Sequence, residues 1–314
     1  MSRDRPKVVY TGPEFALDAL GRLTDKGYQL EHHDGDAQQL KEMLQEADAL
    51  LDASMKVPLG DEMFEAASNL ELIVAASTGS SHVDKNALEK HGCKLLTLKG
   101  ESQVLNGLTP AAELSWALLM SAARNLRGAF SGVQQRNWNR VDYPGIMLRN
   151  KKLGLIGFGR LGQWMSRYAE AFEMDFSFFD PFVEEPSARK AQTLEELVSG
   201  VDFVSIHVHL SNETERLVDN RLLSHFKKGC VLVNTSRGEI LEEHDVVAAL
   251  ESGVLAAVGS DVIWNEPNPE DSPLWRYSET HDNVIITPHI GGFSPDAVRE
   301  VVSFSAERII NHFG

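Results

Sequence analysis

The sequence predicts an α/β protein built from two doubly wound parallel-sheet domains. Three observations carry this prediction: short apolar runs alternate with helical patterns through both halves of the chain, a long apolar helical stretch separates the two series, and the second series opens on the Gly-rich turn GFGRLG. A length of 314 residues suits two domains. With 42% hydrophobic and 24% charged residues, a core of useful size is available.

In chain order, KVVY (7–10), YQLEH (28–32), ALLDA (49–53), ELIVAA (71–76) and CKLLTL (93–98) read as strands. Helical patterns lie between them near 16–26, 36–46, 60–67 and 84–90. Strands alternating with helices make an open parallel sheet, and this one lacks a dinucleotide fingerprint. His32 and His33 are expected to be solvated at a strand end. TPAAELSWALLMSAARN (109–125) then starts with Thr-Pro and is almost continuously apolar, as a long buried helix would be. The polar loop 136–150, which carries Trp138 and Tyr143, leads into the second series.

That series begins with KLGLIGFGRLGQWMSRYAEAFEMDFSFFD (152–180), which reads as strand, Gly-rich turn, helix, strand and acid. VDFVSIHV (201–208), CVLVN (230–234), AAVGSD (256–261) and NVIITP (283–288) are further strands, with helices near 220–226 and 244–252. After Gly291 and Gly292 the tail 294–313 reads as one amphipathic helix. No internal repeat, low-complexity tract or long linker is visible. Two sheets of similar type, one with a nucleotide fingerprint, suggest a cleft between domains where a substrate meets a bound nucleotide.

The Gly-rich turn has a physical reading. Gly157 suits the tight turn, Gly159 lets backbone approach a pyrophosphate, and Gly162 lets helix pack close to strand. Free N–H groups at Arg160, Leu161, Gly162 and Gln163 would then hold the phosphates with the helix dipole. Asp180 falls near the spacing of about twenty at which an acid meets the ribose hydroxyls. An acid there repels a 2′-phosphate, so NAD is expected over NADP.

A formal net charge of −16 argues against nucleic acid or an anionic membrane as partner. Local cations must therefore draw any anionic substrate. Cys93 and Cys230 sit beside apolar runs and are expected to be buried free thiols. The start, MSRDRPKVVYTG, has no apolar h-region, and no window reaches membrane-spanning length, so a cytoplasmic location is expected.

Three more stretches carry chemistry: NTSRGEI (234–240), DVIWNEP (261–267) and TPHIGG (287–292). Each follows an apolar run, in a loop beyond a strand's carboxyl end, where open α/β sheets hold their ligand-contacting residues. Arg237, Glu266 and His289 are thereby expected to converge.

LGLIGFGRLG, FFDPF, VSIHV, VNTSRGEILEEHDVVAALESG, SDVIWNEP and ITPHIGG stand in the order and spacing of one family. Over nearly its whole length the chain resembles the NAD-dependent D-isomer-specific 2-hydroxyacid dehydrogenases. The resemblance implies two Rossmann-like domains. An NAD-binding domain at 104–288 is inserted into a flavodoxin-like substrate domain made of 1–103 and 289–314. It also implies a homodimer joined through the NAD domains and the helix at 109–125.

The resemblance further implies His289 as acid and base, Glu266 as its partner, and Arg237 as the residue that binds the substrate carboxylate and carbonyl. Imidazole suits the first role because it gains and loses a proton near neutrality, and a touching carboxylate stabilises its charged form. Arginine suits the third because its planar fork grips a carboxylate. Asp261 matches a position at the nicotinamide carboxamide and His207 one beside the adenosine; Thr109, Asn234, Thr235 and Gly291 lie in cofactor loops. His209 stands where the family commonly has proline, and no metal site is expected from this pair.

ASTGSSHVD (76–84) matches the loop whose backbone N–H groups bind the substrate carboxylate, pointing to Thr78 and Gly79, although Ser77, Ser81 and His82 depart from its usual Gly, Asp and Asn. Asp52 appears where phosphoglycerate-type members carry arginine, and an acid there would repel a phosphate. Met55, Leu105 and Trp138 are candidates for an apolar wall. The expected reaction is hydride transfer between NAD(H) and a small 2-keto or 2-hydroxy acid. Phosphite oxidation on the same scaffold and an NAD-sensing corepressor are the alternatives; formate-type members usually lack the acid at Glu266.

Overall fold

In a computed structural model, which describes residues 5–34, 36–80, 82–184 and 189–314, the chain forms two compact units. One comprises residues 1–108 and 293–314, the other 109–292.

The first unit holds strands β1 (Lys7–Thr11), β2 (Gln29–His33), β3 (Ala49–Asp52), β4 (Leu72–Ala75) and β5 (Lys94–Leu96). All pair in parallel in the order β2-β1-β3-β4-β5, the flavodoxin-like arrangement. Every residue of β3 and β4 is buried, as expected of strands covered on both faces. The C-terminal helix Pro295–Phe313 returns to this sheet and buries Val298, Val302, Ala306 and Ile309 in the core that includes Val8, Leu51 and Val74.

The second unit holds β6 (Lys152–Ile156), β7 (Asp175–Phe179), β8 (Phe203–Ile206), β9 (Cys230–Asn234), β10 (Leu255–Ser260) and β11 (Val284–Ile286). Their parallel order is β11-β10-β9-β8-β6-β7, and an isolated bridge from Phe178 to Lys190 extends the edge beyond β7. That bridge stands where the outer strand of a dinucleotide-binding sheet lies, so the order reverses beside β6. The Gly-rich turn leaves β6 at that switch point.

The long helix expected at 109–125 forms over Pro110–Ala123; Asn125 then takes the left-handed conformation at φ 49°, and a second helix, not expected from the sequence, runs over Leu126–Gln134. Asn tolerates that conformation better than most residues. The pattern near 16–26 resolves into a 3-10 turn, Glu14–Leu20, followed by the short helix Gly21–Asp25. His33 is buried rather than solvated, with Nε2 bonded to the Asp36 carbonyl at 3.0 Å, while His32 stacks on Tyr10 and reaches the Gly12 carbonyl. A strand-end imidazole finds the carbonyls of the adjoining turns, which an isolated reading of the strand does not reveal.

Candidate active site

At the Gly-rich turn, Gly157 has φ +93°, and a Cβ there would lie 2.4 Å from the His207 carbonyl oxygen. A Cβ on Gly162 would lie 2.4 Å from the Gly157 oxygen, so the helix Arg160–Ala171 starts directly against the turn. A Cβ on Gly159 would meet nothing within 4 Å, and Gly159 gives the helix no side-chain cap. Two glycines are thus required by backbone packing, while the middle one borders open space in front of a helix N-terminus.

Asp180 directly follows β7, with Oδ2 accepting from Phe158 N–H at 2.8 Å and Oδ1 from Phe182 N–H at 2.9 Å. Its carboxylate is thereby fixed beside the turn and keeps lone pairs for further donors. His207 bonds Ser205 Oγ at 2.8 Å through Nε2, whereas its buried Nδ1 has no partner among the described residues. Burial pushes its pKa down to about 4, so a neutral ring offers one unmet polar atom beside the turn. Open space at Gly159, a helix N-terminus without a side-chain cap, a fixed acid and an unmet imidazole nitrogen all fit a dinucleotide.

The loops beyond β9, β10 and β11 carry the candidate side chains Arg237, Glu266 and His289. His289 has φ +52°, a conformation that non-glycine residues seldom adopt. Its N–H is held by the carbonyls of Asp261 at 2.9 Å and Thr287 at 3.0 Å. Its Nδ1 lies 2.7 Å from Glu266 Oε2, and Glu266 Oε1 accepts from Ile263 N–H at 3.0 Å. An ionised Glu266 only accepts, so Nδ1 carries the hydrogen and Nε2 is the ring nitrogen left for a ligand.

The hydrogen bond to Glu266 raises the His289 pKa above its ordinary value; burial and the Arg237 charge oppose this without cancelling it. The Arg237 guanidinium thus acts on the imidazole through its charge. Arg237 itself is extended, with Nη1 donating to the Ser236 carbonyl at 2.6 Å and its own carbonyl accepting from Asn234 Nδ2 at 2.8 Å. Gly238 explains how its loop meets that of Glu266: a Cβ there would fall 2.0 Å from the Ile263 backbone.

Asp261 ties the loop after β10 to the loop of His289. It is buried, and both carboxylate oxygens serve the His289 loop: Oδ1 accepts from Thr287 Oγ1 at 2.6 Å and Ile290 N–H at 2.8 Å, and Oδ2 from Gly291 N–H at 2.7 Å. Burial raises its pKa and these hydrogen bonds only partly offset it. Thr235 bonds Ser115 Oγ at 2.7 Å, which ties its loop to the helix Pro110–Ala123. Thr109, at that helix's N-terminus, bonds Glu113.

Sequence reasoning missed Glu243. Buried at the start of helix Glu243–Glu251, it accepts from Trp264 N–H at 2.9 Å, Ser272 Oγ at 2.6 Å and Leu274 N–H at 3.2 Å. It fixes both ends of the segment carrying Glu266. Nothing in the pair Glu242-Glu243 distinguishes the buried acid from its neighbour.

In the first unit, the segment after β4 carries Thr78, exposed, and Gly79, whose carbonyl accepts from Ser77 Oγ at 2.6 Å. Ser81 lies outside the described residues. Asp52 does not stand free to face a phosphate: it is 4% exposed and engaged inward. Cys93 and Cys230 are buried free thiols, and among the described residues no helix is long and apolar enough to cross a membrane.

A glycine-rich dinucleotide turn at the switch point of a parallel sheet, with an imidazole–carboxylate pair in loops beyond its strands, defines a doubly wound α/β protein of the dinucleotide-binding type. A family model described as the NAD-binding domain of D-isomer specific 2-hydroxyacid dehydrogenases matches residues 116–291, and one described as their catalytic domain matches 9–104. The chain belongs to the D-isomer specific 2-hydroxyacid dehydrogenase family, and its cofactor is NAD.

It is similar to a hydroxypyruvate reductase of Thermotoga maritima, with 32% identity over 88% of each chain. It is 33% identical to a chloroplastic D-3-phosphoglycerate dehydrogenase of Arabidopsis thaliana over 88% of this chain and 44% of that one. The chain therefore spans about half the length of the phosphoglycerate dehydrogenases it matches. Among solved structures, an NAD-dependent formate dehydrogenase from Staphylococcus aureus in complex with NAD superposes with a TM-score of 0.81 at 28% identity, covering 98% of this chain and 96% of that one.

Proposed function

We propose that the chain catalyses reversible hydride transfer between NAD(H) and a small 2-keto or D-2-hydroxy acid. The first unit is assigned to substrate and the second to NAD. The observation that carries the reading is the 2.7 Å contact of His289 with Glu266, in a loop held left-handed at His289, with Arg237 in electrostatic reach. NADH, when bound, supplies the hydride to C2. His289 Nε2 then gives its proton to the carbonyl oxygen, Glu266 stabilises the imidazolium through Nδ1, and Arg237 holds the substrate carboxylate and polarises the carbonyl. In oxidation the neutral imidazole takes the proton back. Thr78 and Gly79 bind the carboxylate through backbone N–H groups, and the lack of an arginine at Asp52 disfavours a phosphorylated substrate.

A panel of 2-keto acids with NADH tests this reading, and sustained NADH oxidation distinguishes an enzyme from an NAD sensor. NADPH is expected to support slower turnover because Asp180 repels a 2′-phosphate, and Asp180→Ala is expected to narrow the difference. Equal efficiency of the two cofactors in the parent would contradict the ribose assignment.

A pH profile tests Glu266. Reduction needs protonated His289, so activity falls as pH rises through the raised imidazole pKa. Glu266→Gln removes the main cause of the elevation and should move this limb to lower pH; an unmoved limb would refute the pairing.

We also propose a homodimer through the second unit. Phe130, Val133, Trp138, Val141 and Met147 are 65%, 52%, 88%, 77% and 69% exposed, an apolar surface suited to burial against a second copy. The two free thiols suit a cytoplasmic location.

A further inference from the structure

Asp52 closes β3 with every carboxylate oxygen committed. Oδ1 accepts from Thr11 Oγ1 at 2.7 Å, Ser54 N–H at 3.0 Å, Ser54 Oγ at 3.1 Å and Met55 N–H at 2.9 Å. Oδ2 lies 2.7 Å from His82 Nε2. Both partners are nearly covered, with side chains 5% and 10% exposed. Burial works to raise the Asp52 pKa, but hydrogen bonds from His82, Met55 N–H and Thr11 prevail and hold it below the ordinary carboxylate value. The acid is ionised, so His82 Nε2 donates.

The geometry of the three segments gives this pair a task. Thr11 ends β1, Ser54 and Met55 follow β3, and His82 ends the stretch after β4 that contains Thr78 and Gly79. Backbone bonds fix the root of that stretch through Ala76 N–H to the Asp52 carbonyl at 2.8 Å, and its far side through Leu59 N–H to the His82 carbonyl at 2.7 Å. Between those anchors, the His82 side chain is a cross-tie back to β3. Met55 is held at φ 53° beside it, with its side chain exposed.

We propose that Asp52 and His82 are positioning residues that clamp the backbone carrying Thr78 and Gly79 and thereby set the enzyme's affinity for the 2-keto acid. The pair touches no substrate; it fixes the backbone N–H groups that do. The inference rests on the proposed role of Thr78 and Gly79 in carboxylate binding. It also accounts for an acid where phosphoglycerate-type members are expected to carry arginine: here the position shapes a loop instead of meeting a ligand.

Three variants of the full chain test the clamp. His82→Leu removes the donor, His82→Gln offers an amide N–H at similar reach, and Asp52→Asn keeps the shape without the charge. Loss of a buried charge-assisted bond corresponds to about tenfold, so His82→Leu should raise the keto-acid KM by roughly that factor. Its kcat and the KM for NADH should stay within about twofold. His82→Gln should recover most of the loss, a split that a purely structural role would not produce. If His82→Leu does not fold, Asp52→Asn carries the same KM prediction.

Hydrogen–deuterium exchange gives a readout independent of turnover, with faster exchange expected at 76–84 in His82→Leu or Asp52→Asn. Unchanged exchange there, or an unchanged keto-acid KM in a folded variant, would overturn the clamp. A parent enzyme inactive on every keto acid would overturn the functional reading, whereas faster exchange without any KM effect would show a loop tie that does not govern binding and would also overturn the proposal.

Discussion

His289→Gln is expected to reduce keto-acid turnover by about two to four orders of magnitude, the range associated with losing a positioned general acid. Glutamine retains a polar side chain of similar reach but cannot deliver a proton near neutrality. NADH binding should change little, because the groups assigned to the dinucleotide lie at Gly157–Gly162, Asp180 and His207 rather than on the imidazole. Stopped-flow NADH fluorescence separates these effects. Parental turnover in the variant would remove His289 from the mechanism.

The second large effect is expected at Arg237. Arg237→Ala should lower kcat/KM for the keto acid by about two to three orders of magnitude, because one group both binds the carboxylate and stabilises developing negative charge on the carbonyl oxygen. Arg237→Lys should recover only part of this, since an ammonium lacks the planar fork. The Arg237 charge also depresses the His289 pKa, so Arg237→Ala should move the remaining activity's alkaline limb upward, opposite to Glu266→Gln. Unaltered kinetic constants and an unmoved limb would contradict the assignment.

His289 also links pH to stability. Its folded pKa is raised, so this contribution is complete below the unfolded value of about 6.5. It is lost as pH rises through the folded pKa.

Much of this was legible from local pattern. Strands covered on both faces read as continuous apolar runs, so β3, β4, β8 and β9 stood out, and the turn glycines marked where strand becomes helix. The loops bearing Arg237, Glu266 and His289 were visible because each follows such a run. What escaped was set by tertiary partners. The helix Leu126–Gln134 lies beyond the apolar stretch that marks its predecessor, and the partners of Asp52, Asp261 and Glu243 lie in segments remote in sequence. Asp52 shows the limit most clearly. Its residue type pointed to electrostatic repulsion, whereas its inward hydrogen bonds make it a loop anchor.

In the proposed reaction, His289 and Arg237 serve hydride delivery to C2 of a keto acid. Mass spectrometry and chiral chromatography of the product formed from NADH carrying two deuterons at nicotinamide C4 test it directly. One deuterium is expected on C2 of a D-2-hydroxy acid, with at least about a hundredfold less of that product from His289→Gln at matched times. A product without deuterium at C2, or deuterated product formed equally fast by the His289 variant, would contradict it.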